Sequence, residues 1–328
     1  MKKAIIRTIV FLAGIVSALF ILRGQGLAIV KSDTPQPVTY SGPTEINASK
    51  NYFIIIGDIK QKSTLEFLRE GNKRGRKLVL AEIVKRGPAF VVNLGDLVSR
   101  GSSDKRWRRF DELHKEFRER RIPYFPILGN HELYGNDNKA LGNFFMRFPY
   151  LNQQRWYSFT WEGTAFIMLD SNFSTLTAEQ NTQQLRWYIE ELERFERDEQ
   201  VRHVIVVSHQ PPFTNNWSGG PSRSVQKYFA EPFLRFRKTA LFLSGHVHTY
   251  ERFEKGGKHF VVSGGGGAPR SSVITDLALQ RYEDLFSGPE RRALHFCQIE
   301  RRDKALLFSM LRLEPDGSFS LADALTIQ

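Results

Sequence analysis

The chain has 328 residues, and its composition excludes several classes of protein. Hydrophobic residues make up 41% and charged residues 25%, which is typical of a globular protein and excludes wholesale disorder and fibrous folds. Cys297 is the only cysteine, so a disulfide framework and a cysteine-rich zinc or iron–sulfur site are excluded. The net charge of +12 suits anionic substrates or surfaces, but the basic residues are spread along helix-like stretches. We therefore expect no nucleic acid as a specific partner.

The first 31 residues have the pattern of a targeting segment. Three basic residues precede the uncharged run 8–22, and Arg23 follows it. A basic start before an apolar run of this length is typical of a secretory signal, and the run is short for a membrane-spanning helix. Residues 24–28 offer only weak cleavage sites, so residues 1–31 are interpreted as a signal peptide or an uncleaved signal anchor. Both interpretations predict an extracytoplasmic body, periplasmic or secreted, and the second adds a membrane anchor.

The rest of the sequence predicts a linker over 32–48, which contains three prolines, and one α/β domain over 49–328. Short apolar runs predict strands, and hydrophobic residues at helical spacing predict helices. The predicted strands are 52–57, 90–94, 123–128, 164–169, 203–207 and 240–243. The predicted helices are 104–120, 177–195 and 63–86. The last of these starts with a capping box at 63–66 and is expected to be interrupted near Gly71 and Gly75. A strand-rich tail over 294–327 contains a hairpin turn at 314–318.

Side chains that can bind metal ions recur in the loops after the predicted strands. They are Asp58, Asp96, Asn130, His131, His209, His246 and His248. Because the carboxyl ends of strands in an open α/β sheet converge on one crevice, we expect these side chains to lie together. Oxygen and imidazole ligands suit Mn, Fe or Zn. The set exceeds what one tetrahedral ion needs, which predicts two adjacent ions.

Two motifs resemble those of a known family. Residues 245–252, Gly-His-Val-His-Thr-Tyr-Glu-Arg, closely resemble the purple acid phosphatase branch of the calcineurin-like metallophosphoesterase superfamily. Residues 95–101, Gly-Asp-Leu-Val-Ser-Arg-Gly, look like its serine/threonine phosphatase branch. The resemblance runs from about residue 52 to residue 267 and is closest to the purple acid phosphatase-like branch. It implies a four-layer α/β/β/α sandwich of two mixed sheets flanked by helices.

The resemblance also implies how the ligands divide between two divalent or trivalent ions. Asp96 would bridge both ions. The first ion would be held by Asp58 and His248 as well. The second would be held by Asn130, His209 and His246.

Further roles, and two departures from the family patterns, concern the substrate. The resemblance implies that His131 protonates the leaving group and that Arg100 binds the substrate phosphate. Lys60 stands where the superfamily usually has histidine, and Ser99 stands where purple acid phosphatases have tyrosine, so the first ion lacks a ligand. Lys60 would repel a cation if it pointed at the ion and would bind substrate phosphate if it pointed there. Asn215 is predicted to line the substrate pocket.

These residues predict a hydrolase that cleaves phosphate esters with a hydroxide activated by two metal ions. A phosphomonoesterase acting on a small phosphorylated substrate is the leading interpretation. One alternative is an extracytoplasmic phosphodiesterase acting on nucleotides or lipids. Another is a binding module that has kept the fold and lost hydrolysis, since a ligand of the first ion is missing.

Overall fold

Strands and helices alternate along most of the chain, as the hydrophobic pattern predicts. The computed structural model describes residues 38–62, 68–217, 219–288 and 290–328, so the segment 1–31 and the capping box at 63–66 lie outside it. The strands are β1 (Tyr52–Ile56), β2 (Val91–Asn93), β3 (Tyr124–Pro126), β4 (Tyr157–Trp161), β5 (Thr164–Met168), β6 (His203–Ser208), β7 (Thr239–Ser244), β8 (Tyr250–Lys255), β9 (Lys258–Ser263), β10 (His295–Arg302), β11 (Ala305–Leu313) and β12 (Phe319–Ile327). The helices are α1 (Lys73–Arg86), α2 (Asp104–Leu113), α3 (Lys115–Glu119), α4 (Asp137–Arg147), α5 (Ala178–Arg197), α6 (Arg223–Val225) and α7 (Glu231–Arg235).

The strands form two mixed, 6-stranded sheets. The first has the order β12-β11-β10-β1-β2-β3, in which β1, β2 and β3 are parallel and β10 is antiparallel to β1. The second has the order β4-β5-β6-β7-β9-β8, in which β5, β6, β7 and β9 are parallel. The parallel strands of each sheet therefore end on one edge, and the loops that leave those edges can meet.

Side chains alternate between two hydrophobic layers along each central strand, since successive residues of a strand point to opposite faces. Phe53 and Ile55 of β1 belong to the core that includes residues of both sheets, whereas Ile54 and Ile56 pack with residues of α1 and α2. On the second sheet, α5 packs through residues such as Tyr188. This helix–sheet–sheet–helix layering confirms the predicted fold class.

The predicted strands are all present, as β1, β2, β3, β5, β6 and β7, but two predicted helices differ from the structure. The helix predicted over 104–120 is divided into α2 and α3 at His114. The ring of His114 is buried, stacks on Phe110 with centroids 4.0 Å apart, and donates from Nδ1 to the Phe110 carbonyl at 2.9 Å. Within the described part of the helix predicted over 63–86, α1 begins at Lys73, after the break predicted near Gly71, and it continues through Gly75, where a break is also predicted.

The folded body begins before residue 49, so the predicted linker is wrong from Val38 onward. Tyr40 is 4% exposed, and its ring packs 5.2 Å from that of Phe148. Its backbone N–H donates to the carbonyl of Arg147 at 2.9 Å, which joins the segment to the end of α4. Within the ranges described above, no helix is long and apolar enough to cross a membrane.

Candidate metal centre

The six predicted metal ligands lie in loops directly after parallel strands of both sheets. Asp58, Asp96 and Asn130 follow β1, β2 and β3, His209 follows β6, and His246 and His248 follow β7. The backbone of Asp58 (φ 56°), Asp96 (φ 57°) and His246 (φ 67°) is left-handed, which L-residues rarely adopt. Such strain persists only where neighbouring contacts fix the conformation.

Contacts between the loops supply that constraint. The Asp58 N–H donates to the carbonyl of Gly95 at 3.1 Å, and the His246 N–H donates to Asp58 Oδ2 at 2.9 Å. A Cβ atom at Gly95 would lie 2.7 Å from Nδ1 of His209, and one at Gly129 would lie 2.3 Å from Oδ1 of Asp96. Glycine is therefore required at position 95 for loops of the two sheets to approach each other, and at position 129 for the loops after β2 and β3 to do so.

The first cluster of ligand atoms consists of Asp58, Asp96 and His248, all buried, with ligand atoms within 4.8 Å of one another. Asp58 Oδ1 is buried without a hydrogen-bond partner in the described chain and lies 3.3 Å from Nε2 of His248. His248 donates from Nδ1 to the carbonyl of Pro269, which leaves the Nε2 lone pair facing Asp58. Burial, with the Asp96 charge, raises the pKa of Asp58 well above its usual value. An unpaired buried carboxylate oxygen beside an imidazole lone pair fits a cation.

The second cluster consists of Asn130, His209, His246 and again Asp96. Oδ1 of Asn130 lies 3.0 Å from His209 Nε2 and 3.1 Å from His246 Nδ1, and these two nitrogens are 3.2 Å apart. Asp96 Oδ1 lies 3.4 Å from His209 Nε2. His209 donates from Nδ1 to the Leu94 carbonyl at 2.7 Å, so in the neutral ring Nε2 is an acceptor. Ligand atoms around one tetrahedral zinc ion are about 3.4 Å apart, and these acceptors therefore fit a shared cation.

Burial and nearby charges hold His246 and Asp96 in the forms that bind metals. Burial, together with the His209 charge, lowers the pKa of His246 to about 3, so its ring is neutral. Burial raises the pKa of Asp96, but the charges of His209, His131 and Lys60 outweigh it and lower that pKa below its usual value. Asp96 is therefore an ionised carboxylate that belongs to both clusters.

His131 lies beside the two clusters and is oriented by the backbone. Its Nδ1 donates to the carbonyl of Ser99 at 3.0 Å, and its Nε2 lies 3.8 Å from Asp96 Oδ2. The backbone carbonyl of Ser99 thus orients the His131 ring, although Ser99 has no side-chain carboxylate that could do so. Arg100, the next residue, is exposed and donates from Nε to Ser102 Oγ at 3.3 Å.

Glu132 joins the Asp96 loop to the Asn130 loop, a role that the sequence did not reveal. Its buried carboxylate accepts hydrogen bonds from the backbone N–H groups of Asp96 (2.8 Å), Val98 (3.0 Å) and Gly129 (2.8 Å). The only sequence signal for Glu132 is its position directly after His131 in a motif, and that position does not identify its hydrogen-bond partners.

Tyr134 was also missed, and it orients the Asn130 amide. Its hydroxyl accepts a hydrogen bond from Nδ2 of Asn130 at 2.7 Å, which turns Oδ1 toward the histidines. The centroid of its ring lies 4.4 Å from that of the His131 ring. Tyr134 is 45% exposed, so it lies at the solvent-exposed rim of the metal centre.

The structure differs from the substrate-binding prediction for Asn215. The residue is fully buried, and its Nδ2 donates to the carbonyl of Tyr282 at 2.8 Å. Its Oδ1 accepts from the backbone N–H groups of Arg281 (2.8 Å) and Tyr282 (3.1 Å). Asn215 therefore joins two loops in place of the predicted substrate contact. Lys60, by contrast, is buried next to the first cluster.

Glu251 supports the same loop and makes stability depend on pH. Its carboxylate accepts from the Asn215 N–H at 2.7 Å and from Thr214 Oγ1 at 2.5 Å. Burial raises the pKa of Glu251 from 4.5 to about 7, and the Asp284 charge adds to this rise. The folded state therefore binds the proton more tightly than the unfolded state, so the resulting stability is complete below pH 4.5 and is lost as the pH rises through 7.

Glu251→Gln is expected to remove this pH dependence. The free energy of unfolding of the wild type, relative to the variant, should fall by about 3 kcal/mol between pH 4 and pH 8. Urea unfolding of both proteins at the two pH values measures the difference, with the exposed substitution Glu193→Gln as control. An unchanged difference between wild type and variant would show that folding does not raise the pKa of Glu251.

Comparison with known proteins gives consistent matches. A model of the calcineurin-like phosphoesterase family matches residues 52–250. Purple acid phosphatase 1 of Ipomoea batatas is 26% identical over 227 residues, which cover 62% of this chain and 43% of that protein. Probable purple acid phosphatase 20 of Arabidopsis thaliana is 28% identical over 197 residues, which cover 56% of this chain and 45% of that protein. The chain thus spans less than half the length of these curated relatives.

A solved structure shares the fold. The structure of a purple acid phosphatase from yellow lupin, Lupinus luteus, matches with a TM-score of 0.67 and 19% identity, covering 87% of this chain and 55% of that one.

Proposed function

Because the chain belongs to the calcineurin-like phosphoesterase family, we propose that it hydrolyses phosphate monoesters with the aid of two metal ions. The observation that carries this proposal is the convergence of two sets of ligand atoms that share Asp96. Asp58, Asp96 and His248 would hold the first ion. Asp96, Asn130, His209 and His246 would hold the second. The donors suit Mn, Fe or Zn.

When bound, such ions lower the pKa of water and neutralise charge on phosphoryl oxygens. The chain's own residues supply the proton. Because Nδ1 of His131 donates to the Ser99 carbonyl, the proton for the leaving oxygen comes from Nε2 of the doubly protonated ring. The Asp96 carboxylate lies 3.8 Å from that Nε2 atom.

The preference for monoesters is supported by the number of cationic side chains. A monoester phosphate carries up to two negative charges and a diester phosphate carries one. Arg100 at the rim, Lys60 beside the first cluster and the His131 ring can each offset charge on the phosphate oxygens. The forked guanidinium of Arg100 also suits the geometry of two phosphoryl oxygens.

The targeting segment at 1–31 and the extracytoplasmic location stay predictions from the sequence, because they concern residues outside the described ranges. They would bring the site into contact with small phosphorylated compounds outside the cytoplasm.

The test is hydrolysis of p-nitrophenyl phosphate and bis(p-nitrophenyl) phosphate by the purified chain, before and after removal of metals with a chelator. We expect the monoester to be cleaved at least about tenfold faster, activity to disappear with the metals, and Mn, Fe or Zn to restore it. Faster cleavage of the diester would contradict the monoester assignment. A chain that binds phosphate without cleaving either compound would instead be a binding module.

A further inference from the structure

Lys60 is a lysine buried beside the first cluster of ligands. It follows Asp58 by two residues, and its side chain is 2% exposed, among the largest fully buried side chains of the described chain. Its backbone N–H donates to the Asp96 carbonyl at 2.9 Å, and its own carbonyl accepts from Nη1 of Arg76 at 2.9 Å. The main chain of Lys60 is therefore fixed between the Asp96 loop and helix α1, and its side chain is enclosed there.

The charge of Lys60 acts on every member of the first cluster. Burial is the largest influence on the pKa values of Asp58, Asp96 and His248, and the ammonium of Lys60 lowers all three. The same three residues place their ligand atoms within 4.8 Å of one another. Lys60 is thus enclosed within the loop that carries Asp58, and its backbone is hydrogen-bonded to Asp96, so it is tied directly to two of the three ligands of the first cluster.

The second cluster has a different electrical environment. Its ligands Asn130, His209 and His246 follow β3, β6 and β7, whereas Lys60 lies in the loop after β1. Its four ligands are one carboxylate, one amide and two imidazoles, whereas the first cluster has two carboxylates and one imidazole.

We propose that Lys60 weakens binding of the first ion unless a phosphate group binds with it, while the second ion binds tightly without phosphate. This inference rests on the proposed function and deepens it. An ammonium and a metal cation in one enclosed space repel each other. A phosphate that contacts both places negative charge between the ammonium and the metal ion, so each of the two cations is attracted to the phosphate. Since coupling between two ligands is reciprocal, the ion must strengthen phosphate binding by the same factor.

The order of binding has a consequence for the reaction. The first ion would join the site together with the substrate, and it would become more weakly bound once the phosphate product leaves. Free inorganic phosphate offers the same kind of phosphoryl oxygens as the substrate, so it would keep the first ion bound in addition to the second.

Equilibrium dialysis of the full chain against Mn²⁺, with and without inorganic phosphate, tests the inference, with metal content measured by elemental analysis. Wild type is expected to bind one Mn²⁺ tightly at the second cluster, and phosphate should increase the affinity of the first cluster for another Mn²⁺ by about tenfold or more. Lys60→Met should bind the first ion without phosphate. Lys60→His, which restores the histidine common in the superfamily, should do the same and guards against misfolding of the first variant. The matched control is Lys85→Met, because the Lys85 side chain is 81% exposed.

Electron paramagnetic resonance gives an independent readout, because two adjacent Mn²⁺ ions produce a coupled spectrum. That spectrum should require phosphate in wild type and in Lys85→Met, and should appear without phosphate in Lys60→His.

Two equally tight ions in phosphate-free wild type, or the same phosphate effect in both Lys60 variants as in wild type, would overturn the inference and leave the proposed hydrolysis intact. If the chain hydrolyses monoesters but binds a single ion even with phosphate, the inference also fails. If the chain binds no metal and cleaves neither ester, both the inference and the proposed function fail.

Discussion

Asp96→Asn is expected to lower kcat/KM for a phosphate monoester by about a thousandfold or more. Asp96 is the one residue that belongs to both clusters, and its Oδ1 also accepts a hydrogen bond from the His131 N–H at 3.1 Å. The substitution removes a negative charge shared by two cation sites. Loss of several kcal/mol of stabilisation of the transition state, at about 1.36 kcal/mol per factor of ten, gives this magnitude.

Metal content and steady-state kinetics measure this effect together. Asp96→Asn should lose bound metal in parallel with activity. The control is Asp316→Asn, an exposed position in the turn between β11 and β12, which should keep both. If Asp96→Asn retained full metal content and activity, Asp96 would not be a shared ligand.

His131→Ala is expected to lower kcat by about 10²–10⁴-fold while the chain keeps its metal ions. The ring lies beside the clusters, and its Nδ1 contacts the Ser99 carbonyl, so removing it deletes a proton donor and no ligand. The loss should be largest for alkyl phosphates, whose leaving oxygens need the proton, and smaller for p-nitrophenyl phosphate, whose leaving group is stable as an anion.

Comparison of the two substrates separates proton donation from a structural role. His259→Ala on β9 is the control, since that residue lies away from both clusters. An equal loss for both substrates, or loss of metal together with activity, would assign His131 to holding the site together.

The positions of the metal ligands could be predicted because each follows a short apolar strand. Asp58 and Asp96 end the runs that form β1 and β2, and parallel pairing of these strands brings their ends to one edge. The two-sheet layering itself came from the resemblance, because periodicity does not reveal which strands share a sheet. Strand β4 escaped prediction, since its side chains are mostly half-buried and lack a clear alternation.

Other features depend on contacts between distant parts of the chain. Glu132 and Tyr134 act through hydrogen bonds that exist only after the loops have met. Asn215 has the chemistry of a substrate contact, yet its side-chain oxygen already accepts hydrogen bonds from the backbone N–H groups of residues 281 and 282. Tyr40 lies in a proline-containing segment typical of a linker, but its ring fits among aromatic side chains of the core. No local pattern contains this information.

The left-handed backbone of Asp58, Asp96 and His246 also bears on how the chain would respond to selection for heat resistance. An L-residue in that conformation costs of order 1–3 kcal/mol, and glycine adopts it without that cost. Glycine carries no donor atom for a cation. A library screened only for a higher melting temperature would therefore enrich glycine at these three positions and drift toward durable, inactive proteins.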